Sequence, residues 1–285
     1  MAKRLTAKPV IEEIKSSLTE QTAAFLERTR RKPKLAVVIV GEDPASKIYV
    51  QKKAEAAKRL GFESETIHFV ESTDPKKVLK MIDYLNQDPK TDGILIQRPL
   101  PPQFEESQVL SWVSPGKDVD GFHPYNVGSL ALGFPQLVSC TPLGIIRLLE
   151  FYNFKFEGKT ACVVGRSSIV GKPIAQLLLQ KNMTLIHCHR KSQPLSTFTK
   201  QADLLVAAAG QPKLIQKEDV KPGATVVDVG IHRLKDGTLC GDVDEELVSQ
   251  QAAAITPVPG GIGPMTIHLL LENTLKAALK NEDEK

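Results

Sequence analysis

Thr160-Ala161-Cys162-Val163-Val164-Gly165-Arg166-Ser167-Ser168-Ile169-Val170-Gly171-Lys172-Pro173 reads as a strand, a glycine turn and the start of a helix. The short apolar run suits a strand buried on both faces. The turn lets backbone approach a pyrophosphate, and the helix N-terminus offers N–H groups and a positive dipole end. The fit to a dinucleotide fingerprint is irregular, because Ser167 and Val170 stand where the second and third glycines belong. A Walker A loop is excluded: five residues separate the two glycines, and Pro173 replaces the hydroxyl residue that would hold magnesium. A tight structural βα turn is the alternative.

Reading outward, short apolar runs alternate with amphipathic stretches. Strands are expected at Leu35–Val40, Glu65–Val70, Gly93–Ile96, Thr160–Val164, Thr184–Cys188, Leu204–Ala208, Thr225–Val229 and Ala253–Ile255. Helix-period segments such as Pro75–Gln87 and Lys172–Lys181 lie between them. The pattern predicts an α/β protein of two α/β domains flanking a cleft, the second with a Rossmann-like parallel sheet. Gly116–Gln136 is rich in Gly, Pro, Asn and Asp and reads as a long loop. Pro142–Phe151 reads as a helix linking the halves, and Pro264–Leu279 as the last helix. The expected domains are residues 1–139 with 264–285, and residues 140–263.

The strand at Thr184–Cys188 runs into His189-Arg190-Lys191 with no acid. An NAD site usually carries Asp or Glu there, about 20 residues after the turn, to hold the ribose 2′-hydroxyl. Arg190 and Arg166 would instead pair with a 2′-phosphate, which points to NADP; a solvated basic turn is the alternative. His187 and His189 share one strand face with no further ligand in sequence reach, so no metal is expected.

The 285 residues suffice for about two domains. A net charge of +4 without a basic block gives no sign of nucleic acid. No apolar run is long enough to span a bilayer. The start Met1–Thr6 lacks an apolar stretch, so no secretory signal is expected, and four isolated cysteines suit a reducing cytoplasm.

In the first half, Asp43–Gly61 reads as a helix with Asp43 as N-cap and Pro44 in the first turn. Tyr49, Val50, Lys53, Ala54, Ala56, Ala57 and Leu60 share an arc of roughly 160°. Lys53 therefore sits on the apolar face while Lys52 points to water. Burial would lower the lysine pKa and suit it to proton transfer; snorkelling along an apolar groove is the alternative. Gln97 follows a strand end, where ligands bind in open α/β sheets. Asp118 and Asp120 lie on one loop, and Asp120 could accept paired N–H donors from a heterocycle. The Pro/Gly run Thr256–Thr266 is stiff at its prolines and bare at its glycines, so a flat ligand can pass close to backbone.

Tyr49-Val50-Gln51-Lys52-Lys53, Gln97-Arg98-Pro99-Leu100-Pro101, Lys117-Asp118-Val119-Asp120-Gly121-Phe122, Gly165–Gly171 and Pro257–Thr266 together resemble the bifunctional methylenetetrahydrofolate dehydrogenase/methenyltetrahydrofolate cyclohydrolase family over almost the whole length. The irregular glycine turn is that family's own pattern. Arg98 stands where some relatives carry Leu. The resemblance implies NADP-dependent oxidation of 5,10-methylenetetrahydrofolate and hydrolysis of the product to 10-formyltetrahydrofolate, within one-carbon metabolism and purine biosynthesis. It implies Lys53 as acid/base group, Tyr49 packed on the folate, Gln97 holding Lys53, and Asp120 on the pterin. The residues Tyr49, Val50, Gln51, Lys52 and Lys53, with Pro259, Gly260, Gly261, Ile262 and Gly263, would form the folate site. Gly165, Arg166, Ser167, Arg190 and Ile231 would line the cofactor site. It further implies a homodimer and a first domain completed by the last helix. A dehydrogenase without cyclohydrolase activity, a non-catalytic folate or nucleotide binder, and a Rossmann oxidoreductase acting on a small acid are the alternatives.

Overall fold

The computed structural model describes residues 1–283. In chain order the elements are β1 (Lys3–Arg4), α1 (Ala7–Thr29), β2 (Lys34–Val40), α2 (Pro44–Arg59), β3 (Glu63–Phe69), α3 (Pro75–Gln87), β4 (Gly93–Ile96), α4 (Glu106–Val109), α5 (Pro124–Ala131) and α6 (Cys140–Phe151). There follow β5 (Thr160–Val164), α7 (Gly171–Gln180), β6 (Thr184–Cys188), α8 (Ser196–Thr199), β7 (Leu204–Ala207), β8 (Thr225–Asp228), β9 (His232–Arg233), β10 (Leu239–Cys240), α9 (Glu245–Val248), β11 (Ala254–Ile255) and α10 (Thr266–Asp283). The chain falls into two compact units: Glu13–Cys140 with the segment from Ile267 onward, and Met1–Glu12 with Thr141–Thr266.

The first unit carries a parallel sheet in the order β3-β2-β4. Central β2, Lys-Leu-Ala-Val-Val-Ile-Val, is buried from Leu35 to Val40, as a strand covered on both faces must be. Val78, Ile82 and Leu85 of α3 and Phe104 pack with Ala36, Val38, Val40 and Ile94 in its core. Strand β3 differs from the apolar run that sequence suggests: Glu63 and Glu65 leave it a polar, exposed edge, which discourages further pairing. At the start of β4, Arg31 grips the fully buried Asp92 with two parallel hydrogen bonds (2.7 and 2.8 Å) and reaches Glu282 of α10 through Nε at 2.8 Å.

The second unit carries a six-stranded, all-parallel sheet in the order β1-β11-β8-β7-β5-β6. Its core joins Cys162, Val164, Leu205, Ala207, Ile215, Val226 and Val243. The α/β class and the Rossmann-like parallel sheet expected from sequence are both present.

Two local expectations need correction, and one helix goes beyond them. The stretch Gly116–Gln136 is not all loop, because it contains α5. His123 Nδ1 accepts from Tyr125 N at 3.0 Å, Pro124 opens the helix, and buried Asn126 donates to Pro115 O and Asp118 Oδ2 (both 2.9 Å). Tertiary bonds here override poor helix propensity. Lys3 and Arg4, expected in the first domain, pair with Ala254 and Ile255 in the second unit's sheet; two charged residues carry no strand pattern. Helix α1 is not among the expected elements, although Val10, Ile14, Leu18 and Phe25 lie buried at helical spacing. Among the described residues no helix is long and apolar enough to cross a membrane.

Candidate functional site

Helix α2 starts as its sequence dictates. The Asp43 carboxylate accepts from Ser46 N at 2.8 Å, and Pro44 fills the first turn, where an N–H would have no partner. Val50, Ala57 and Leu60 face the core. Lys53 lies on the same side, partly buried, and its Nζ donates to Gln97 Oε1 at 2.8 Å. Gln97 sits just past the end of β4. Its Nε2 donates to the Arg98 carbonyl at 2.7 Å, which also accepts from Ser46 Oγ at 3.2 Å.

The helical period separates the five consecutive residues expected at the ligand. Val50 is buried, Gln51 pairs with Glu55 on the outer face at 3.0 Å, and Lys52 is exposed. Five residues in a row cover more than a full helical turn and cannot share one face. Tyr49 and Lys53, four apart, do share one. Tyr49 is 51% exposed, so it flanks the apolar face and does not join the core.

The structure also separates the two acids of the loop after β4. Asp118 is buried and committed: its Oδ2 accepts from His123 N at 2.8 Å and Asn126 Nδ2 at 2.9 Å. The Asp120 carboxylate makes no hydrogen bond among the described residues. Burial pushes it up to about 6, and Asp118 adds to that, while the Lys53 and Arg98 charges pull it down. Gly121 is not a free hinge. It sits at φ +69, and a Cβ there would lie 2.5 Å from Ser139 N.

Burial pushes the Lys53 ammonium below its ordinary value, opposed by Asp120. The buried Cys140 thiol stays neutral, because burial lifts it far above the usual thiol range, so Asp120 is the charge that counters Lys53. The Arg98 guanidinium lies over the Phe122 ring at 5.5 Å and pairs with Glu106 at 2.9 Å.

In the second unit, a cavity of about 660 Å³ opens at the carboxyl ends of β5 and β7. Gly165, Arg166, Ser167, Arg190, Ala208, Ala209 and Gln211 contribute to its lining. Gly165 holds φ +124, and a Cβ would lie 1.9 Å from Ala208 O, so only glycine fits. Ser167 explains the irregular fingerprint: its Oγ accepts from Val170 N and Gly171 N, both at 3.2 Å, and so closes the turn where α7 begins. His187 Nε2 contacts Gly165 O at 2.8 Å, which ties the ring to the glycine turn. Arg166 and Arg190 are exposed on this cavity, and neither has an ion pair among the described residues. Two unpaired guanidinia, a bare glycine and a helix N-terminus suit a phosphate-rich nucleotide.

Ile231 does not line that cavity. It is 57% exposed, and its Cδ1 lies 3.2 Å from where a Gly263 Cβ would stand. Of the Pro259–Gly263 run, which belongs to this unit, Gly261 and Ile262 are buried and Pro259 is exposed. Gly260 O accepts from Ala7 N at 2.9 Å.

Sequence reasoning missed Asn273. This buried side chain on α10 donates to Val119 O and Val138 O, both at 2.8 Å, and so fixes the loop that carries Asp120. The available signal was a polar residue at helical spacing from apolar ones, four after Leu269, three after Leu270 and four before Ala277.

Residues 5–120 match the family model "Tetrahydrofolate dehydrogenase/cyclohydrolase, catalytic domain", and residues 139–282 match "Tetrahydrofolate dehydrogenase/cyclohydrolase, NAD(P)-binding domain". The chain is 47% identical over 281 residues to the "Bifunctional protein FolD" of Streptococcus thermophilus, covering 99% of each. It is similar to the solved bifunctional FolD methylenetetrahydrofolate dehydrogenase/cyclohydrolase of Campylobacter jejuni, with a TM-score of 0.95 and 45% identity over 98% of this chain and 99% of that one. A Trypanosoma brucei methylenetetrahydrofolate dehydrogenase-cyclohydrolase, solved with NADP and an inhibitor, matches with a TM-score of 0.91 and 34% identity over 98% of each chain.

Proposed function

We propose the residue roles below on the premise that this chain belongs to the tetrahydrofolate dehydrogenase/cyclohydrolase family. It is a bifunctional enzyme that oxidises 5,10-methylenetetrahydrofolate to the 5,10-methenyl form with NADP and hydrolyses that product to 10-formyltetrahydrofolate.

NADP⁺, held by the residues named here, would supply the hydride acceptor for the one-carbon unit. The carbon is already activated by two nitrogens, so the protein mainly has to align it. Arg166 and Arg190 hold the 2′-phosphate, and Gly165 brings backbone against the pyrophosphate. Asp120 accepts N–H donors of the pterin, for which its carboxylate is free, and Tyr49 packs on the folate. Pro259–Gly263 and Ile231 border the bound ligands.

In the hydrolytic step water adds to the methenyl carbon. Neutral Lys53 takes one water proton, the resulting ammonium returns it to N5 as the C–N5 bond breaks, and the remaining hydroxyl proton leaves to solvent as the formyl C=O forms, so the charge of the cation departs as H⁺. Burial favours the neutral amine, and the cationic substrate favours it further, since like charges repel. Gln97 aims the amine. The Lys53–Gln97 contact in a partly buried setting carries this reading. We further propose a cytoplasmic homodimer that supplies one-carbon units to purine biosynthesis. Family resemblance supports this, and four free cysteines suit a reducing compartment.

The test is an assay with methylenetetrahydrofolate and NADP⁺ or NAD⁺, followed spectroscopically to the formyl product. Methenyl formation without catalysed hydrolysis would leave only the dehydrogenase. A lack of preference for NADP⁺ would remove the arginine assignment.

A further inference from the structure

Asp242 lies outside the cavity lining, is fully buried, and accepts four hydrogen bonds. Its Oδ2 takes Ala209 N at 2.5 Å and Gly210 N at 2.9 Å; its Oδ1 takes Gln211 N at 3.0 Å and His232 Nε2 at 2.7 Å. Three consecutive backbone donors thus converge on one carboxylate. The segment they belong to follows β7, and its Ala209 and Gln211 line the cofactor cavity.

All three residues are exposed, yet their N–H groups reach a fully buried carboxylate. It turns the three N–H groups inward together and leaves the other side of the segment facing the cavity. Burying a carboxylate is costly, and donors on both oxygens offset that cost. Asp242 is itself held by a second buried acid. Asp228, at the end of β8, accepts from Gly230 N, Asp242 N and Val243 N, each at 2.9 Å. The same network therefore fixes Gly230 and His232, the neighbours of Ile231.

We infer that Asp242 is the positioning residue of the cofactor site: its buried carboxylate moulds Ala209–Gln211 into the wall that NADP meets, and His232 locks that carboxylate in place. This rests on the NADP reading above. It requires no contact between Asp242 and the cofactor.

Asp242→Asn keeps the volume but turns one acceptor oxygen into a donor. The His232 tautomer can adapt to the amide; a backbone N–H cannot, so at least one loop donor loses its acceptor. NADP⁺ affinity by calorimetry should fall about tenfold or more, and the KM for NADP⁺ should rise alike. Hydrolysis of methenyltetrahydrofolate uses no nicotinamide and should stay within about twofold. His232→Phe spares the three loop bonds and should give a smaller shift in the same direction; it carries the test if Asp242→Asn does not fold. Amide hydrogen exchange at Ala209–Gln211 should accelerate in Asp242→Asn, a readout independent of cofactor. Unchanged NADP⁺ affinity and unchanged exchange in a folded variant would overturn the inference. So would an equal loss of both activities with a lowered melting temperature, which would make Asp242 a residue of the fold alone. Wild-type protein that fails to bind NADP⁺ would instead sink the cofactor reading, while the exchange data would still judge the loop.

Discussion

The amide of Gln97 is locked in one orientation against Lys53: its oxygen accepts from Nζ at 2.8 Å because its nitrogen is spent on the Arg98 carbonyl at 2.7 Å. A neutral acceptor orients the amine without supplying a charge that would keep it protonated. Gln97→Glu would supply that charge. The variant should shift the alkaline-rising limb of the cyclohydrolase pH profile to higher pH and lower the rate at neutral pH by about tenfold or more. A profile identical to wild type would show that Lys53 does not exchange protons in the reaction.

Lys53→Met removes the amine and keeps most of the volume. Hydrolysis should fall by roughly 10²- to 10⁴-fold. Hydride transfer, measured by NADPH formation with methenyl product accumulating, should persist. Near-wild-type rates for both steps would refute the acid/base role.

The Asp120 carboxyl, pushed up to about 6 by burial, makes two further statements testable. It must be ionised to receive pterin N–H groups, so the folate KM should climb as pH falls below about 6, and Asp120→Asn should flatten that climb. Its native pKa lies above the ordinary 3.8. The associated stabilisation is therefore complete below the unfolded value and is lost as pH rises through about 6. Asp120→Asn should thus gain stability relative to wild type between pH 4 and pH 7.5, by on the order of 2 kcal/mol in denaturant titrations. The opposite trend would place the carboxylate in a favourable ion pair.

Arg166→Ala with Arg190→Ala should raise the KM for NADP⁺ by about tenfold or more through loss of charge-assisted bonds, with little change for NAD⁺. Equal effects on the two cofactors would disprove the 2′-phosphate assignment.

Asn273→Leu leaves Val138 O without its buried donor and Val119 O with only the weak Cys140 thiol at 3.8 Å. The variant should lose about 1–3 kcal/mol of stability for the unpaired carbonyl. It should also weaken folate binding, because Val119 adjoins Asp120. Stability loss with unchanged folate affinity would confine Asn273 to packing.

Much of this was legible along the chain, because both repeating elements have short sequence periods. Strands β4, β5 and β6 and helix α3 begin and end where apolar runs and proline or glycine signals place them. The Lys53 position followed from a helical arc alone. What failed was local pattern without context at α5, whose Pro and Gly content hides a helix held by Asn126, whereas the helical arc correctly sets Gln51 and Lys52 off the face that Lys53 occupies.

The chain by itself determined the parallel α/β architecture, the glycine turn at Gly165 and the candidate lysine, because each depends on residues close in sequence. Only the tertiary structure decided which of two neighbouring acids is free, since Asp118 is occupied by His123 and Asn126 while Asp120 is not. It alone showed Asn273 reaching Val119 across 154 positions and Asp242 gathering Ala209–Gln211. Hydrogen bonds between distant segments carry no period in sequence, and burial, which sets the charge state of Lys53 and Asp120, exists only once those segments pack.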